Sequence, residues 1–115
     1  METLSPFERA FIAHLIADWL LQNEWLAIHK TALGHPAAWL HAGIHTLLLG
    51  LVLGWPAGLG LGSLHLLIDT RMPLGWWQRM IGQRREGDIG RHIAIWADQV
   101  LHLVCIAAWI ELIGI

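Results

Sequence analysis

The stretch GLVLGWPAGLGLG, residues 50–62, lies within a long apolar run and contains no charged residue. Its punctuation decides how the chain folds. Gly54 and Pro56 close one apolar segment and open the next, because proline suits the first turn of a helix and glycine the turn before it. The flanking segments, 37–54 and 57–70, are short for membrane spans, which need about 20 apolar residues. Joined through Gly54, Pro56 and Gly58, they predict a tight antiparallel helical hairpin. Gly58 and Gly62 add a G-x-x-x-G, a spacing that lets helices approach closely.

Two further apolar segments flank the hairpin. The first covers 7–29, with Ser5 expected as its cap and Pro6 at its first position, and TALGHP (31–36) ends it. The last covers 91–113. The expected fold is all-α: one integral membrane domain over 1–115, built as a compact four-helix transmembrane bundle, with a soluble bundle of unusually large core as the alternative. Residues 72–86, MPLGWWQRMIGQRRE, are too polar to span. They predict an extra interfacial amphipathic helix between spans three and four. Trp76, Trp77, Met80 and Ile81 would face lipid, and Arg79, Arg84 and Arg85 would face headgroups. An ordinary basic loop is the alternative.

Composition supports the membrane reading. Of 115 residues, 56% are hydrophobic and 14% charged, against about 25% charged in a soluble domain. Mean hydropathy is +0.52. The net charge of −2 gives no reason to expect a nucleic-acid partner, and the single cysteine, Cys105, excludes an internal disulfide. METLSPFER lacks the basic region and the cleavage motif of a signal peptide. Four antiparallel spans place both termini and the 54–58 turn on one side, where Arg9 is the only basic residue. Lys30, Arg71, Arg79, Arg84, Arg85 and Arg91 fall on the other side. Positive loops stay in the cytoplasm, so both termini are expected outside. Trp25, Trp39, Trp55, Trp76, Trp77 and Trp109 sit near predicted span ends, as an interfacial belt requires. Trp19 and Trp96 fall deeper.

Each predicted span repeats one polar device: His14 with Asp18, His41 with His45, His65 with Asp69, and Asp98 with His102. Residues four apart share a helix face, and random placement of this chain's His and Asp would give roughly one such pair. A fifth pair, Asp88 with His92, lies at the start of the last span, where Asp88 is expected as an N-cap. With alternating directions, the other eight groups fall in one layer between the midplane and the cytoplasmic face. His14 is the highest of them and the first expected to drop out of a ligand set.

An aspartate in the middle of a span costs about 2.5–3.5 kcal/mol, and such residues usually mark function. A metal ion would satisfy the whole layer, since imidazole and carboxylate suit zinc, iron or manganese. Eight groups exceed what one structural zinc needs. They fit two ions sharing a carboxylate, or one ion with the remaining aspartates orienting histidines. A metal-free His–Asp hydrogen-bond network is the plain alternative. Gln22 and Gln99 are candidates to hold these ligands or contact substrate. Lys30 and Arg79, with Arg84 and Arg85, are candidates to receive an anionic headgroup.

HLIADWLLQNEWLAIHK, HAGIH, HLLIDTRM and DQVLHL, in this order from His14 to Leu103, resemble the pattern of a small bacterial membrane-protein family, domain-of-unknown-function family 3307. The resemblance implies a polytopic inner-membrane protein. The family pattern includes a lysine after the first motif, matched by Lys30. It also runs on from the third motif into a lysine-containing stretch, where this chain has Thr70 and Arg71. More loosely, the arrangement is similar to that of membrane-bound metal-dependent hydrolases, which suggests a reaction class.

The function expected from these residues is metal-assisted hydrolysis of a lipid or other membrane-associated ester or phosphoester. The centre would hold one or two divalent ions, zinc foremost. Whichever of Asp18 and Asp98 is not a ligand would be the general base. A di-iron oxygenase, a metal-ion or proton carrier and a structural membrane subunit are the rivals. Membrane lipids are the expected partners. A second copy of the chain is a further candidate, to help wall off the site, and no protein partner can be named.

Overall fold

The computed structural model describes residues 3–114; positions 1, 2 and 115 of the expected domain lie outside the described residues. Among the described residues there are six α-helices: α1 Pro6–Leu15, α2 Glu24–His29, α3 Pro36–Leu53, α4 Trp55–Asp69, α5 Met72–Ile81 and α6 Gly87–Trp109. Helix α1 continues as a π-helical turn over Ile16–Leu20, and α6 as another over Ile110–Gly114.

The hairpin forms as the glycines predict. A single residue, Gly54 at φ 97°, joins α3 to α4. A Cβ on Gly58 would meet Gly50 Cα at 2.6 Å and the Thr46 carbonyl oxygen at 2.7 Å. Gly62 lies equally close against Thr46. Gly58 and Gly62 therefore let two backbones touch. Helix α1 packs on α3 and α6, and α4 packs on the same two helices from the opposite side. These four enclose the interior. Ala10, Ala13, Leu49, Leu53, Ala57, Leu61 and Ile106 fill its end near the hairpin turn, with Cys105 packed alongside.

Several boundaries differ from expectation. The segment 7–29 is not one helix. The π turn ends at Leu20, and Asn23 then caps α2 by accepting a hydrogen bond from the Leu26 amide at 2.9 Å. The cap signal is Asn23 followed by Glu24, inside the polar triplet Gln22-Asn23-Glu24 that interrupts the apolar run. Ser5 does cap α1, in a reciprocal capping box with Glu8. Helix α6 starts four residues before the expected Arg91, and its N-cap is Glu86 rather than Asp88. The interfacial segment is helical only over Met72–Ile81, because Gly82 at φ 75° ends it.

Only two described helices, Pro36–Leu53 and Gly87–Ile113, are long and apolar enough to cross a membrane. Helix α4 has 15 residues and α1 ten, continued by five in the π turn. At 1.5 Å per residue these reach about 22 Å, short of a core about 30 Å thick. The break after Leu20 also explains Trp19. It sits at a helix end with 60% of its surface exposed, rather than deep in a span. Trp96 is on the outer face of α6, 69% exposed.

Candidate metal centre

The four i,i+4 pairs converge. His14, Asp18, His41, His45, His65, Asp69, Asp98 and His102 are all 3% exposed or less. One chain suffices to bury them. They form a polar layer directly beneath the apolar end of the bundle, with each of the four enclosing helices supplying two.

Asp18 lies at the middle of this layer, on the π turn. Such single π turns recur at functional sites because they re-aim one side chain. Its Oδ1 is 2.9 Å from His45 Nε2, 3.0 Å from His41 Nε2 and 3.9 Å from His65 Nε2. His65 Nε2 is also 2.8 Å from Asp69 Oδ2, and His102 Nε2 is 3.5 Å from Asp69 Oδ1. Two ligand groups result: Asp18, His41, His45 and His65 in one, and His65, Asp69 and His102 in the other. Within each, the ligand atoms all lie within 4.8 Å of one another. His65 belongs to both.

Some of the atoms facing this shared space pair with each other: His45 Nε2–H donates to Asp18 Oδ1 at 2.9 Å, and His41 Nε2 lies 3.0 Å from the same oxygen. Among the described residues, His65 Nε2, His102 Nε2 and Asp69 Oδ1 are buried with no hydrogen-bond partner, although His65 Nε2 stands 2.8 Å from Asp69 Oδ2. A buried polar group left unpaired costs about 1–3 kcal/mol. His102 shows the tautomer a ligand needs. Its Nδ1–H donates to the Asp98 carbonyl oxygen at 2.7 Å, leaving Nε2 as a free lone pair.

Charge points the same way. With neutral histidines, Asp18, Asp69 and Asp98 bring three negative charges into the layer, against two cations at its mouth, Lys30 and the Arg71 guanidinium 3.9 Å from Asp98 Oδ1. Protonated imidazoles would balance them poorly, because the five rings pack on one another. His45 and His65 stack with centroids 3.5 Å apart, and His65 and His102 lie at 4.2 Å. Divalent cations balance carboxylates without that repulsion.

His14 stands apart. Its Nε2–H donates to Gln99 Oε1 at 2.9 Å, and Gln99 Nε2–H donates to Asp18 Oδ2 at 2.9 Å. His14 and Gln99 thus hold Asp18 in place from behind. Asp98 belongs to neither ligand group.

Toward the apolar end the layer meets a small void of about 10 Å³ between His14, His45, His65, His102 and the core leucines, room for about one water. On the opposite side a cavity of about 220 Å³ opens between Asp18, Gln22, Lys30, Arg71, Asp98 and Gln99. Gln22 Oε1 and Asp98 Oδ1 are buried without partners. A larger apolar groove, about 860 Å³ between α5 and α6, is lined by Trp76, Trp77 and Trp96 and by none of the eight.

Gln22 and Lys30 therefore line the mouth of the layer. Arg79 does not; it is exposed on α5, beside Gly75 and Arg85. Arg71 takes the place at the mouth. In the sequence it counted as one more cytoplasmic positive charge and, with Thr70, as the departure from the family's lysine-containing stretch, a change that a basic role survives. Its backbone carries the signal: φ is 64°, and it is the one non-glycine residue at positive φ among those described. It occupies the position just past α4 where glycine is usual. A side chain held there costs about 1–3 kcal/mol, and such strain clusters at functional sites.

The molecule is thus an all-helical bundle organised around a buried His/Asp centre with one basic opening. The chain belongs to the family described as "Protein of unknown function (DUF3307)", whose family model matches residues 7–114. No curated protein and no solved structure matches it.

Proposed function

We propose that the protein is a membrane-embedded, metal-dependent hydrolase of a lipid or other membrane-associated ester or phosphoester. The observation that carries this reading is the set of buried, unpaired ring nitrogens and carboxylate oxygens converging on one space. The donor set fits a divalent metal, zinc foremost, with iron or manganese sharing the same preference for nitrogen and oxygen. Two ligand groups meeting at His65 suit two ions.

A bound divalent ion supplies Lewis acidity toward the scissile group and lowers the pKa of water toward neutrality. The chain's own residues do the rest. Asp18, His41, His45, His65, Asp69 and His102 hold the metal. Gln99 and His14 fix the orientation of Asp18. Asp98, outside both ligand groups and free at Oδ1 on the cavity wall, is the general base that takes the proton from the attacking water. The apolar core residues beside the layer leave little room for water on that side.

The setting we propose is the bacterial inner membrane, crossed several times, with both termini outside. Exposed Trp39, Leu40, Leu47, Leu51, Leu59, Val100 and Val104 support an apolar outer surface. The test is hydrolysis of labelled phospholipid in proteoliposomes, with and without chelator. Activity is expected to vanish with chelator and return with zinc. Asp98→Asn is expected to keep its metal and lose about 10²–10⁴-fold in kcat, the usual contribution of a positioned base. Chelator-resistant hydrolysis, or full activity in Asp98→Asn, would contradict the reading.

A further inference from the structure

We infer that the cavity beside the metal layer is a seat for a phosphoryl group, held by Arg71 and Lys30. This rests on the hydrolase reading and narrows its substrate from esters in general to phosphoesters. The cavity is about 220 Å³ and adjoins the layer through Asp18 and Asp98. That is room for a headgroup-sized anion but not for acyl chains. Two cations line it, together with the Gln22 and Gln99 amides. A carboxylic ester is neutral and offers the cations a single carbonyl acceptor, whereas a phosphoryl group carries charge that a planar guanidinium recognises through two parallel hydrogen bonds.

One buried amide atom at this wall, Gln22 Oε1, has no hydrogen-bond partner. An amide can turn to present its N–H₂ to a phosphoryl oxygen. Asp98, 2% exposed, has its Oδ1 3.9 Å from Arg71 Nε, so the cation that would hold the anion also stands beside the proposed base. Arg71 keeps its side chain at a backbone position where glycine would be relaxed, which is unneeded if the residue merely ends α4. At the rim, Trp19 is 60% and Ile95 43% exposed. They offer an apolar exit for the remainder of a lipid.

The experiment is a phosphate titration of the full chain in detergent, followed by ³¹P NMR, with zinc measured in the same samples. Inorganic phosphate and a short-chain phosphatidic acid are compared. Saturable binding is expected in the wild type. Affinity should fall at least about tenfold, the loss of one charge-assisted contact, in both Lys30→Gln and Arg71→Gly, with zinc content unchanged. Glycine relaxes the strained backbone at 71, so a merely structural Arg71 would be replaced without loss of affinity. Tighter binding of the lipid than of phosphate would name a lipid headgroup as the source, and equal binding a soluble phosphoester; either supports the seat. Zinc-loaded wild type that binds neither, or variants that bind as well as wild type, would overturn it. Zinc-free wild type that still binds phosphate through these two residues would keep the seat and defeat the hydrolase reading.

Discussion

Helix α6 carries the same four-residue device twice, with opposite outcomes. In both pairs a histidine Nδ1–H donates to the carbonyl oxygen of the aspartate one turn earlier, at 2.8 Å for His92 and 2.7 Å for His102. The local geometry is the same. Asp88 is 83% exposed and pairs with Arg91, whereas Asp98 is 2% exposed and lies between His102 and Arg71. On α6 the local backbone therefore fixes the same imidazole tautomer in both pairs. Three other helices, each bringing its own pair to the same depth, turn one of the two pairs into part of a site.

The contrast can be broken at its centre. Asp18 Oδ1 touches the nitrogens of His41 and His45, so Asp18→Asn is expected to lower metal affinity by more than about 100-fold, beyond the range for outer partners of ligands. Competition with a chelator of known affinity reads this directly. Gln99→Ala removes the hydrogen bond that holds Asp18 from behind. It is expected to cost about 10–100-fold in metal affinity while the helical circular dichroism stays unchanged. Gly58→Ala tests the frame rather than the site. Its methyl meets backbone at 2.6 Å, and overpacking of this kind costs about 1–3 kcal/mol, measured by denaturant unfolding in detergent. At the exposed end, Asp88→Ala with His92→Ala is expected to change stability by no more than about 0.5 kcal/mol.

How much of this was legible in the sequence follows from what each signal depends on. The hairpin was readable because Gly54, Gly58 and Gly62 permit contacts that no other residue does. The eight buried groups were readable because side-chain spacing along a helix is local, and alternating directions then fix their depth. The break after Leu20 was signalled by the polar triplet Gln22-Asn23-Glu24, but the apolar residues on either side, Leu20, Leu21, Trp25 and Leu26, let the segment be read through it as one helix. The π turn that aims Asp18 has no composition of its own. Arg71 was missed because its role lies in a left-handed backbone angle and in its neighbours across the bundle. Arg79 was favoured over it because α5 looked amphipathic, yet α5 leaves Arg79 on its outer surface. Only the first segment, 7–29, was read as one helix where the structure has two, while 37–54 and 57–70 match α3 and α4 closely and 91–113 falls four residues short of the start of α6.

The central claim is that convergence, not spacing, makes a metal site, and elemental analysis of three purified proteins tests it most directly. Wild type, an Asp98→Ala/His102→Ala double variant and an Asp88→Ala/His92→Ala double variant differ only in which pair on α6 is removed. Wild type and the Asp88/His92 variant are expected to carry at least one zinc, iron or manganese ion per chain, and the Asp98/His102 variant to lose metal. A wild type without stoichiometric metal, or equal metal in the two double variants, would contradict the claim.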